Sequence, residues 1–196
     1  MSTEQTIRAF IAIELPEAVK TGLQDIQTRL TLPRYSFVKC VAPEGIHLTL
    51  KFLGNIPAQK VADITSVMEQ ASQGVNPFKL QLTEVGAFPN MRRPRVVWVG
   101  IKGDVDKLIG WQQRLDDGLV LLGFTKEARP FTPHLTLARL RENCSPGDIL
   151  HIGEMVASSH VEVNYNFTVN SLNLMRSQLF PTGAVYSSLA EVKLKM

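Results

Sequence analysis

The chain alternates between short apolar runs and longer stretches in which apolar residues recur every three or four positions. Residues 7–14 run apolar with little alternation, the pattern of a central strand. Pro16 then opens a helix to about Leu30, because a first turn tolerates proline's missing N–H. Leu32-Pro33-Arg34 breaks it, and residues 36–40 predict a short strand. Pro43-Glu44-Gly45 is a turn into a strand over 46–52, closed by Gly54. Pro57 opens a second helix to about Gln73, stopped by Gly74 and Pro77. Residues 78–86 read as a strand, 88–94 as a loop and 95–101 as a strand. Val105, Leu108, Ile109, Leu115, Leu119 and Leu122 stand at helical spacing, so a third helix covers about 104–122 and ends at Gly123. Pro130 and Pro133 lead into a strand over 134–140, and Pro146 opens a fourth helix to about Ser158. Strands follow near 160–175 and 184–194. This order predicts the α+β class, with two pseudo-symmetric lobes of mainly antiparallel sheet and helices outside, packed as a single domain over 1–196.

Two of these strands carry the same four letters. His47-Leu48-Thr49-Leu50 and His134-Leu135-Thr136-Leu137 alternate polar and apolar residues, the period of a half-buried strand. His47 and Thr49 therefore point to one face while Leu48 and Leu50 enter a core, and His134 and Thr136 repeat the arrangement. If the strands meet across a central cleft, two imidazoles and two hydroxyls converge. That set suits displacement at a phosphate. One imidazole removes a proton from the attacking oxygen and the other protonates the leaving oxygen, both near their ordinary pKa of about 6.5. Each threonine hydroxyl is placed to donate to a non-bridging oxygen as charge builds. Which histidine is acid and which is base stays open on these residues alone. The chemistry needs neither metal nor cofactor, and no Walker loop, GxGxxG or HExxH pattern is present.

The paired motifs resemble the 2H phosphoesterase superfamily. Four segments narrow the resemblance to the RNA 2',3'-cyclic phosphodiesterases, also described as tRNA 2'-5' ligase-like proteins. They are Arg8–Pro16, His47–Gly54, Arg93–Gly100 and Phe131–Arg139. The resemblance runs from about Arg8 to Tyr186. It implies His47 as proton donor to the 3' leaving oxygen and His134 as the acceptor that activates water, giving a 2'-phosphate. It implies phosphate contacts from Thr49 and Thr136, and a substrate contact from Arg139. Strand parity points Arg139 away from His134 unless the strand bends after Ala138. Lys51 has the parity of His47 and Thr49, so it is either a cation at the cleft rim or a solvated strand-end lysine. Phe10 is either a base-stacking platform or a core residue, and burial of phenylalanine favours the core.

Charge adds a little. The net charge of +3 and the cluster Arg92-Arg93-Pro94-Arg95 suit RNA, although exposed arginines in a turn are also ordinary. Cys40 and Cys144 form no CxxC pattern and read as free thiols. His151 and His160 lack spaced partners and read as structural or surface residues. No apolar run approaches a bilayer span, and the N-terminus lacks a signal-peptide layout, so the expected setting is the cytoplasm. The expected partner is an RNA with a 2',3'-cyclic phosphate end, with no membrane and no obligate protein partner, and the protein is expected to be a monomer. Reversible 2'-5' ligation, a cyclic phosphate on a small nucleotide, and non-catalytic binding of RNA ends stand as alternatives.

Overall fold

A computed structural model describes residues 5–159, 165–181 and 183–195. Nine strands and four α-helices follow one another as β1 (Thr6–Glu14), α1 (Glu17–Arg29), β2 (Val38–Cys40), β3 (His47–Pro57), α2 (Lys60–Ser72), β4 (Phe78–Phe88), β5 (Val96–Gly103), α3 (Val105–Val120), β6 (His134–Leu140), α4 (Pro146–Ala157), β7 (Asn166–Val169), β8 (Ser171–Phe180) and β9 (Gly183–Lys193) among the described residues. Every pairing is antiparallel. One sheet has the order β3-β1-β8-β9 and the other β2-β6-β5-β4-β7.

The connectivity contains a repeat with an exchange. In each half the motif strand pairs with the first strand of its own half, β3 with β1 and β6 with β5. A strand beyond the second helix of each half crosses over. β4 pairs with β5 of the second half, and β8 pairs with β1 of the first. β2, from the first half, also borders the second motif strand. The two sheets are therefore not the two halves of the sequence, which hydrophobic periodicity had no means to reveal.

The helices explain themselves locally. Val19, Leu23 and Ile26 line the buried face of α1, Glu17 sits in its first turn and Arg29 in its last, matching the helix dipole. Thr31, with φ of 50°, turns the chain out of the helix. Ser145 and Asp148 cap α4 reciprocally, each bonding the other's backbone N–H, with Pro146 in the first turn. Pro57 ends β3 instead of opening α2, which begins at Lys60. Gly54 does not close β3. Its φ of 72° absorbs a bulge opposite Ala9 and Phe10, and pairing continues to Pro57. The segment expected as strand near 160–175 holds two strands, β7 and β8, separated at Asn170. The part of it at 160–164, with His160, lies outside the described residues.

One face of each sheet is covered by helices. Ile11, Leu48, Leu50, Val97, Leu135 and Leu137 are buried there against Leu23, Met68, Trp111 and Ile152 in one continuous core. The opposite face is separate. Phe10, Ala12 and Met175 form a small cluster of their own, with Tyr186 packed against it. No helix among the described residues is long and apolar enough to cross a membrane.

Candidate active site

β3 and β6 pack against each other where the two sheets meet. In both, the leucines of the motif are buried while the histidine and threonine are only partly covered. Each histidine leans on aromatic rings of its own sheet. His47 stacks on Phe10 at 4.5 Å and meets the edge of Tyr186 at 5.0 Å. His134 stands edge-on to Phe88 at 4.9 Å and to Trp98 at 6.4 Å. Gly86 makes room for that second wall, because a Cβ there would lie 2.2 Å from the Trp98 ring. Phe10 is thus a core residue, as its type suggested, in the smaller cluster on this face. It is 3% exposed and serves as the seat of His47.

The imidazoles are also held through their edges. His134 donates from Nδ1 to the Thr132 carbonyl at 2.7 Å, since a carbonyl can only accept. In the neutral ring this leaves Nε2 as a free acceptor. His47 bonds the backbone of Gly45, so both histidines use the residue two positions upstream. Burial among Phe10 and Tyr186 lowers the His47 pKa from 6.5 to about 4, outweighing the Gly45 hydrogen bond, which raises it. His47 is therefore neutral at pH 7 in the unliganded protein.

This has a measurable consequence. By proton NMR, His47 is expected to titrate near pH 4 in the free protein. An unfolded histidine takes up its proton near 6.5, so the unfolded chain binds more protons between those values. Stability then falls as pH drops through that window, by on the order of 3 kcal/mol for a shift of this size. A His47→Asn variant should lack that part of the acid sensitivity. A His47 resonance titrating at 6.5, with no difference between the proteins, would contradict the burial argument.

Both motif strands bulge at the same point, just after the threonine. Register slips on β3 between the residues facing Ala12 and Ile11, at Leu50, and on β6 between those facing Trp98 and Val97, at Leu137. The carbonyl of Leu137 accepts from the Val41 N–H at 2.8 Å and from buried Gln27 at 2.8 Å. After each bulge the parity flips. Lys51 consequently turns away from the cleft. It is buried, ion-paired with Asp116 of α3, and donates to the Thr125 carbonyl at 2.6 Å. Both sequence-based positions for Lys51, cleft rim and solvated strand end, are corrected by the bulge. The same flip brings Arg139 round. Leu137 and Ala138 are both buried, and exposed Arg139 shares a face with His134 and Thr136.

Phe52 occupies the place in the first motif that Arg139 holds in the second, five residues after the histidine. It is 70% exposed, with its ring 6.2 Å from that of Phe10. Sequence reasoning passed over Phe52, Tyr186, Phe88 and Trp98. Superposing the two motifs would have exposed Phe52, but the other three come from strands whose pairing was not legible. Arg92 and Arg93 lie in an exposed turn whose backbone N–H groups bond the Asn90 side chain. His151 shares a 2.8 Å hydrogen bond with the Tyr35 hydroxyl, away from the two motifs in sequence and in partners. Among the described residues, no three of His, Cys, Asp and Glu are grouped to hold a metal ion.

The sequence pattern described as "LigT like Phosphoesterase" matches this chain twice, over residues 13–98 and 99–186. The chain belongs to this family. Each match contains one of the two motifs, so the repeat seen in the strand pairing is a repeat of the family unit. Among LigT-like relatives, the RNA 2',3'-cyclic phosphodiesterase of Methanothermobacter thermautotrophicus is 33% identical, with 96% of this chain and 99% of the relative aligned. That of Archaeoglobus fulgidus is 32% identical over 93% and 98%. Crystal structures agree. Escherichia coli LigT complexed with 3'-AMP superposes with a TM-score of 0.77 at 25% identity, covering 98% of this chain and all of that one. A Thermus thermophilus protein gives 0.76 at 28% identity, covering 96% and 98%.

Proposed function

We propose that this LigT-like chain is an RNA 2',3'-cyclic phosphodiesterase that hydrolyses the cyclic end to a 2'-phosphomonoester. The observation that carries the reading is the pair of motif strands. Both present histidine and threonine on one face, both bulge after the threonine, and they pack against each other. The relatives' activity and the nucleotide held by E. coli LigT support the substrate class.

In the proposed reaction, water attacks phosphorus as its proton passes to His134 Nε2, the atom left free by the Thr132 bond. The phosphorus–O3' bond breaks in line, and His47 delivers a proton to O3'. Thr49 and Thr136 donate to the non-bridging oxygens, and Arg139 contacts the RNA. His47 is neutral in the empty site, so the donor role depends on the substrate. An anionic phosphate beside the ring favours the imidazolium and opposes the desolvation. Each turnover leaves a proton on His134 and takes one from His47, and solvent exchange resets both. Exposed Phe52 offers a face for the terminal base. The protein is read as one domain of two lobes, acting as a monomer in the cytoplasm.

Because acid and base are both side chains, a short RNA with a 2',3'-cyclic phosphate should be converted fully in excess EDTA, with a 2'-phosphate as sole product. Loss of activity in EDTA with recovery on one divalent ion would overturn the two-histidine mechanism. A 3'-phosphate product would exchange the roles of His47 and His134.

A further inference from the structure

We infer that Lys39 binds the RNA phosphate on the 5' side of the terminal nucleotide, forming with Arg139 a cationic pair that selects oligonucleotides over mononucleotides. The inference rests on the proposed RNA end-processing reaction.

Lys39 is the middle residue of β2, the short edge strand beside the second motif strand. Its neighbours Val38 and Cys40 both pack on the main core, so Lys39 points to the opposite, cleft-side face. In the register of β2 with β6, Lys39 stands directly opposite Arg139. Directly opposed residues project to the same face with Cβ atoms about 5 Å apart. Both side chains are exposed, and neither enters an ion pair among the described residues. Like charges placed this way repel and cost stability. An anion bridging them removes that cost.

Position decides which anion. Arg139 lies five residues beyond His134 on β6, one of them taken up by the bulge, or about 14 Å along the strand. Lys39 is one strand further out, at the edge of the sheet. The pair is thus too far from the motif histidine to share the scissile phosphate through Lys39, and at a distance suited to the next phosphate of the same strand. The turn holding Arg92 and Arg93 is a competing patch. Its backbone lies against α4, where a Cβ on Gly153 would meet the Met91 carbonyl at 1.8 Å.

The test compares a cyclic-phosphate trinucleotide with a nucleoside 2',3'-cyclic monophosphate, which has no 5'-side phosphate. In Lys39→Gln, KM for the trinucleotide should rise about 10-fold with kcat unchanged, while both constants for the mononucleotide stay at the wild-type value. The logarithmic salt dependence of trinucleotide binding should flatten by about 0.7, the release expected for one single-strand phosphate contact. Lys39→Arg should restore the wild-type KM. Equal effects on both substrates, or none on either, would overturn the Lys39 site while leaving the reaction intact. Failure of the wild-type protein to hydrolyse either substrate would instead remove the reading on which the site rests.

Discussion

Replacing His47 or His134 with alanine is expected to lower turnover by about 10²–10⁴, the usual cost of losing a general acid or base. The fold should survive both changes. Each ring faces the cleft, while Leu48, Leu50, Leu135 and Leu137 of the same strands hold the core. Losing the Phe10 stack will cost His47→Ala some stability, so folded protein must be verified by circular dichroism before rates are compared. Thr49→Ala and Thr136→Ala should do less, on the order of 10–10³, as expected for one donor to a charged transition state. A folded variant of either histidine with near-normal turnover would show that residue to be outside the reaction.

The largest expected loss of stability lies at Lys51. Lys51→Met leaves the Asp116 carboxylate buried with the Glu127 N–H, at 3.0 Å, as its remaining hydrogen-bond partner among the described residues. Removing one member of a buried pair costs about 3–5 kcal/mol, because the survivor keeps its desolvation without its counter-charge. Urea denaturation should show this as a lower midpoint. Adding Asp116→Leu should recover more than half of the loss, since an apolar pair carries no buried charge. A single variant within about 1 kcal/mol of wild type would mean that the carboxylate finds water or another cation. The pair also ties the first motif strand to the chain that leads to the second, through the Thr125 carbonyl and the Glu127 amide. Lys51 therefore serves the site by holding its scaffold, not by touching phosphate.

Much of this was readable from periodicity. The alternation in His47-Leu48-Thr49-Leu50 and in its second copy put histidine and threonine on one face and leucine on the other, and the structure keeps that division. The four helices fell where the apolar spacing placed them, within a few residues. What periodicity could not carry was the bulge. An extra residue in one strand costs no visible change in composition, yet it sent Lys51 inward and Arg139 outward. The exchange of β4 and β8 between halves was equally hidden, because strand pairing is a long-range property. Phe10 shows a third limit. Its burial suggested the core, and it does belong to a small core cluster with Ala12 and Met175, but its stacking on His47 depends on strand pairing that the sequence does not display.

The central claim is that the two motifs form one phosphate site. A nucleoside 2'-monophosphate, the product's own chemistry, titrated into the protein and followed through the imidazole proton resonances of His47 and His134, tests it most directly. Both signals should move together, with one dissociation constant and a stoichiometry of one, and the His47 pKa should rise above its free value of about 4. Movement of only one histidine, or of the two at different affinities, would mean two separate sites and would contradict the account.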